Sequence, residues 1–168
     1  MTGMISAKDT RHLMMRANRL LGPALVERDL ISLQDLERAT ERLLELTARG
    51  EPRECTLLGV LAHELKVVRE TDVLRRSVES DGIGLVDLRA VEIPEELRKE
   101  FDSGECWATW TVPFDREGGF TCLASAYHLS PAVRAHWEKR AGGPVLWYGT
   151  TLGEIAEHLG KAAPAGAA

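Results

Sequence analysis

The sequence predicts an α+β fold: an N-terminal helical subdomain packed against a small β-sheet subdomain with flanking helices, the second half running β-α-β-β-α-β-α. Three observations carry this. Apolar residues recur at three- and four-residue intervals from Leu13 to Val78, the period of one buried helix face. The pattern changes at Asp81-Gly82-Ile83-Gly84. Beyond it, short β-branched and aromatic runs alternate with helix-capping residues.

The first helix carries Leu13, Met14, Ala17, Leu20 and Leu21 on one face. Gly22-Pro23 is expected to interrupt it, with Pro23 opening a short second helix, Ala24 to Arg28. Ser32 with Asp35 three residues on forms a capping box for a helix that buries Leu36, Ala39, Leu43, Leu44 and Leu46 and ends near Gly50. Glu51-Pro52 then breaks the chain. A repeat emerges here: Leu20-Leu21-Gly22 is matched by Leu57-Leu58-Gly59, so the two glycines lie 37 positions apart. Each unit continues with an apolar pair, Leu30-Ile31 or Val67-Val68, and a further helix, from Gln34 or over Thr71 to Val78. Two copies are too few for a solenoid and suit a compact helical subdomain.

In the second half, Leu85 to Leu88 is expected to be a short strand, and Pro94 opens a helix over Glu95 to Phe101. Cys106 to Val112 and Phe120 to Ala124 read as strands of an antiparallel hairpin turning at Asp115 to Gly119. Ser130-Pro131 starts a helix that Gly142-Gly143 stops. Val145 to Tyr148 forms another strand, and Thr151 with Glu154 caps a last helix to about Leu159. The expected organisation is a flexible N-terminus over 1–10, a helical subdomain over 11–81, an α/β subdomain over 82–160 and a flexible tail over 161–168.

With 168 residues, 44% apolar and 28% charged, the chain can bury a core without disulfides or metal. The 21 basic and 26 acidic side chains leave a net charge of −5. That balance argues against broad binding to nucleic acid or anionic membranes, which needs a basic surface, although a local basic patch remains open. Cys55, Cys106 and Cys122 are odd in number and lack a CxxC pair, which speaks against a disulfide framework or a zinc site. No apolar run reaches the ~20 residues of a membrane span. No continuous apolar core of a signal peptide occurs between Met1 and Leu21, so a cytoplasmic location is expected.

Chemistry-bearing motifs are missing. Nothing matches the phosphate loop G-x-x-x-x-G-K-S/T or the nucleophile elbow G-x-S-x-G. His12, His63, His128, His136 and His158 form no metal-type pair, so no catalytic residue, metal site or cofactor is expected. The tryptophans are more informative. In a regular strand Trp107 and Trp110 would face opposite sides; core packing of both, allowing a bulge, is the preferred reading, and an exposed anchor for a partner protein is the alternative. Trp137 and Trp147 are expected in the core.

This order of parts resembles the N-terminal domain of type II secretion and type IV pilus assembly ATPases, a family that includes cyclic di-GMP-binding members. Leu20 to Ser32 followed by Leu36 is similar to the family opening R-L-G-x-x-L-V-x-x-G-L-I-S…L. Ile83 to Leu88 resembles its L-G-L-P-F-V-D-L junction, and Ile93 to Leu97 the helix that follows. The likeness covers roughly residues 13 to 160, without the ATPase engine. It implies a bacterial interaction or regulatory domain that contacts a membrane-platform protein, or one that binds cyclic di-GMP through its helical repeats. For a nucleotide held by the repeats, the resemblance implies contacts at Arg19, Leu21, Gly22, Leu58 and Gly59. The sequence departs from the messenger-binding pattern at several points. The family arginine falls on Leu20 and Leu57, the mid-motif glycine on Asp29 and Lys66, and the terminal glutamine on Leu43 and Ser80. Leucine offers neither the stacking plane nor the phosphate fork of arginine, and Arg19, one position away, is turned by about 100° on a helix. The preferred expectation is therefore a non-enzymatic cytoplasmic adaptor with a protein partner in a secretion, pilus or motility system. The alternative is a cyclic di-GMP receptor with a degenerate motif.

Overall fold

A computed structural model of the chain describes residues 5–49 and 56–162. The expected helix end at Gly50, the break at Glu51-Pro52, Cys55 and the end of the tail lie outside the described residues. Helix α1 (Ala7–Glu27) starts at Ser6, whose hydroxyl accepts from the Asp9 N–H at 3.0 Å. It runs unbroken through Gly22-Pro23, which corrects the expectation of two helices. Proline removes one helical hydrogen bond and crowds the carbonyl four residues back. Pro23 sits on the solvent side, however, while Leu21, Gly22, Ala24 and Leu25 are buried around it. Packing on that face outweighs the lost bond. Gly22 lets a neighbour pack close: an added Cβ would lie 2.5 Å from Leu36 Cδ1 on helix α2 (Leu33–Ala48), and that side chain would have to move aside.

Helix α2 has the expected capping box, with Ser32 Oγ accepting from Asp35 N and the Asp35 carboxylate accepting from Ser32 N. Ala39 is fully buried and Leu36, Leu43 and Leu46 pack against the core. Leu44 does not join them. It is 66% exposed, because one residue beyond Leu43 is a turn of about 100° around the axis.

The second helical unit begins with α3 (Leu57–Gly59), capped by Thr56, and continues into a widened turn over Val60–Glu64 that closes with Leu65 N–H donating to Val60 O at 2.8 Å. Helix α4 (Glu70–Asp81) follows and ends on Gly82 at φ 65°. The two units share their backbone punctuation. Asp29 (φ 57°) and Lys66 (φ 55°) both adopt the left-handed conformation, and Ser32 and Arg69 both stand at helix N-caps. Each pair lies 37 positions apart, like the two glycines.

The sheet has four strands in the order β1-β4-β3-β2. Strand β1 is only Gly84–Leu85, shorter than the Leu85–Leu88 run expected. The Asp87 carboxylate accepts from Arg89 N and starts a single tight turn at Leu88–Ala90, while Leu88 N–H donates to Glu154 rather than to a neighbouring strand. Helix α5 (Glu95–Glu100) follows Pro94 as expected. The expected strand over Cys106–Val112 is instead mostly helix α6 (Ser103–Thr109), N-capped by Asp102, and β2 starts only at Thr111. Tertiary burial decides this segment: Glu105, Cys106, Ala108 and Thr109 are all buried in α6, which packs along α1, and β propensity yields to that context. Strands β2 (Thr111–Glu117) and β3 (Phe120–Ser125) pair antiparallel around Gly118 and Gly119, both at positive φ, the geometry of a two-residue hairpin loop. Helix α7 (Pro131–Arg140) crosses to β4 (Val145–Gly149), which lies parallel to β3 and to β1. Helix α8 (Leu152–Ala162) ends the described chain. Leu25, Leu61, Leu123, Val133, Trp137 and Ile155 are wholly buried, so one core joins α1, the second helical unit, the sheet, α7 and α8.

A cleft between the second helical unit, helix 8 and Trp110

An apolar cleft of about 600 Å³ opens where three elements meet. The C-terminal end of α2 gives Leu46 and Arg49; the second unit gives Thr56, Gly59, Val60, His63 and Glu64; the first turns of α8 give Leu152, Gly153 and Ala156. Trp110 completes the wall. Local chemistry explains why each part stands where it does. Thr56 Oγ1 accepts from Gly59 N at 2.9 Å, and a Cβ on residue 59 would run into that hydroxyl. The widened turn brings His63 and Glu64 to the rim, and such turns recur at functional sites. Glu70 holds the rim together. One carboxylate oxygen meets His63 Nε2 at 2.9 Å, and the other accepts from Leu152 N at 2.8 Å, at the positive end of the α8 dipole. Arg42 bridges Glu64 and Glu45.

Trp110 has φ 48° and ψ 48° at the C-terminal cap of α6, with only 8% of its surface exposed. A bulky side chain at positive φ is a backbone outlier, worth roughly 1–3 kcal/mol of strain. The edge-to-face contact of its ring with Trp107 (5.3 Å, 90°) and the bond from Ala126 N to Trp110 O hold it there. The two tryptophans thus meet on one helical turn instead of facing opposite sides of a strand.

The other predicted site residues are scattered. Arg19 is exposed on α1, Leu21 and Leu58 are in the core, and Gly22 is buried beneath Leu36. Gly59 alone of these five lines the cleft, where it joins Trp110. Sequence reasoning did not single out Thr56, Val60, Leu152 or Ala156, whose residue types carry no chemical signature.

Three buried polar clusters resemble reactive groups but serve as locks. Glu105, with no solvent exposure, accepts from Arg140 Nε at 2.6 Å and Nη2 at 2.9 Å, and faces His136 Nε2 at 2.5 Å, tying α6 to α7. Burial pushes its carboxyl up, but the His136 and Arg140 hydrogen bonds and charges outweigh that and hold it below the usual range. Tyr127 Oη donates to Asn18 Oδ1 at 2.6 Å, while Leu57 N and Leu58 N donate to Asn18 and Tyr127, pinning the start of α3 to α1. His128 Nε2 lies 2.8 Å from Ser77 Oγ; that hydroxyl donates to Val73 O, so Nε2 carries the proton. Burial lowers the His128 pKa to about 4. The Cys106 thiol is pushed far up by burial, and burial also raises that of Cys122, so neither is a poised nucleophile. Trp137, wholly buried as expected, donates from Nε1 to Thr109 Oγ1; Trp147 is half-buried. Among the described residues, no group of three or more His, Cys, Asp or Glu side chains is arranged to hold a metal ion, and no helix is long and apolar enough to cross a membrane.

No protein-family model matches this chain, and no curated protein matches it. Solved structures do. The N-terminal domain of XpsE superposes with a TM-score of 0.54 at 23% identity, over 94% of this chain and 97% of that one. A second crystal form of that domain gives 0.51 at 21% identity, over 86% and 94%. MshE with cdg gives 0.53 at 13% identity, over 85% and 98%. At these identities the likeness is one of fold, and it agrees with the fold that the sequence resemblance implied.

Proposed function

We propose that this chain is a non-enzymatic cytoplasmic interaction domain, an adaptor that docks a protein component of a secretion, pilus or motility machine in the cleft beside Trp110. The observation that carries this reading is Trp110 itself. A bulky aromatic kept at positive φ on the wall of an apolar cleft maintains local strain where a partner side chain would insert, and strain of that kind clusters at ligand clamps. Large aromatics in desolvated pockets dominate protein–protein binding energy, and the His63, Glu64 and Arg49 rim supplies the polar border such interfaces use. The fold shared with the XpsE N-terminal domain supports the setting. The internal spending of Glu105, His136, His128 and both described thiols supports a domain without catalysis.

The test fills the cleft. Ala156→Trp should abolish co-purification with the cognate secretion or pilus component when the two are co-expressed, with the circular dichroism unchanged. Retained binding in that folded variant removes the cleft from the interface.

A second reading, a cyclic di-GMP receptor with a degenerate motif, is favoured by the fold shared with MshE, which was solved with cdg. Against it, Leu20 is half-buried and Leu57 almost wholly buried where the family pattern has arginine. Calorimetry decides: no heat at high micromolar cyclic di-GMP ends the receptor reading.

A further inference from the structure

Helix α1 buries one face against α6, α7, α3 and α2 and turns the other to solvent. At about 100° per residue, Lys8, Arg11, His12, Met15, Arg16 and Arg19 fall within one arc of that outward face, and all but Met15 are basic. All six are exposed. None of the four lysine and arginine side chains forms an ion pair or hydrogen bond with a described residue. The helix's own acids, Asp9 and Glu27, fall outside the arc. In a protein of net charge −5, this is a positive stripe about three turns long to which no described acidic side chain is paired. The arrangement works against the helix that bears it. Lys8 with Arg11 and Arg16 with Arg19 are like charges at i,i+3, and Lys8 and Arg11 stand toward the positive end of the dipole. A counter-charge from outside the chain would relieve both.

We propose that the outward face of α1 is a second docking surface, which receives the acidic face of a protein helix. This rests on the reading of the chain as an interaction domain but uses a face that gives no residue to the cleft. Charge complementarity sets the acidic partner, and Met15, 62% exposed in the middle of the stripe, provides one apolar contact. A membrane is the poorer occupant. A membrane-surface helix inserts its apolar face, and the apolar face of α1 is already inside the core. Nucleic acid is poorer too, since the net charge is negative and the stripe carries no aromatic for base stacking.

The probe is a fluorescein-labelled helical peptide of about 20 residues with glutamates along one face and a leucine placed to meet Met15. Anisotropy should show binding that weakens as salt rises. Affinity should fall at least about tenfold in Arg11→Glu/Arg16→Glu and stay unchanged in Ala156→Trp. The double variant should unfold at the same or a higher temperature than the parent, since it removes like-charge repulsion. Equal binding by the charge-reversed protein overturns the proposal, as does binding to phosphatidylglycerol vesicles or duplex DNA with none to the peptide. If only the Ala156→Trp variant loses the machine component, the cleft stands and the α1 surface does not. If the peptide binds α1 while no component binds the cleft, the reverse holds.

Discussion

Replacing Glu105 by glutamine keeps the side chain's shape and removes its charge at a site without solvent exposure. The carboxylate takes two hydrogen bonds from Arg140 and one contact from His136, all within 2.9 Å. The amide can accept only through its oxygen, and its NH₂ group faces the guanidinium donors. Breaking a buried pair in this way costs about 3–5 kcal/mol, mainly because the remaining charge is left uncompensated. The Arg140 and His136 side chains retain 16% and 17% exposure, so water relieves part of that and the lower end, about 3 kcal/mol, is expected. For a chain of 168 residues this lowers the melting temperature by roughly 6–12 °C. Urea unfolding followed by tryptophan fluorescence measures it, because the Trp137 ring lies 5.5 Å from His136. The sign of the pH dependence is fixed as well. The folded carboxyl titrates below its unfolded value, so its stabilisation is present above the unfolded pKa and lost as pH falls through the folded one. The gap between parent and variant must therefore close in acid. Glu105→Leu with Arg140→Met, which removes the carboxylate together with its guanidinium partner and leaves only His136 at the junction, should recover most of the loss. A Gln variant within 1 kcal/mol of the parent at pH 7, or a gap that persists unchanged in acid, would refute the argument and assign the α6–α7 junction to packing alone.

Three further outcomes are expected. His128 titrates near 4 when folded and near 6.5 when unfolded, so stability should fall by about 3 kcal/mol as pH drops from 6.5 to 4; His128→Gln should flatten that slope in urea titrations. Tyr127→Phe leaves the buried Leu58 N–H without its acceptor, which should cost about 1–3 kcal/mol and speed hydrogen exchange at the start of α3. Lys66→Gly relieves a left-handed backbone at φ 55° and should raise stability by about 0.5–1 kcal/mol after the added chain entropy; a lower urea midpoint would show that the Lys66 side chain contributes something its exposure does not reveal.

The elements that were legible beforehand are those governed by neighbours a few residues away. Ser32 with Asp35 made its capping box, Gly118-Gly119 its hairpin turn, Ser130-Pro131 its helix start, and Gly142 took the positive φ of a helix stop. Thr151 caps α8 through Glu154 N, and the Glu154 carboxylate accepts from Leu88 N with one oxygen and from the Thr151 hydroxyl, at 3.4 Å, with the other. Where local rules failed, a distant contact had changed the balance. Pro23 stays within α1 because both sides of it are buried, and the β-prone run after Glu105 coils because α1 covers it.

Residue order therefore carries the α+β class, most element boundaries and the two-unit pattern of the first half. Hydrogen bonds spanning three or four residues and side-chain periodicity are written directly in residue order. The packing of distant segments set the rest: Trp110 meets Gly59 and Leu152 in one cleft, Glu105 finds His136 and Arg140 at separations of 31 and 35 residues, and no described element covers the basic face of α1. Those outcomes depend on how whole helices pack against one another, and no short stretch of sequence contains both sides of such a contact.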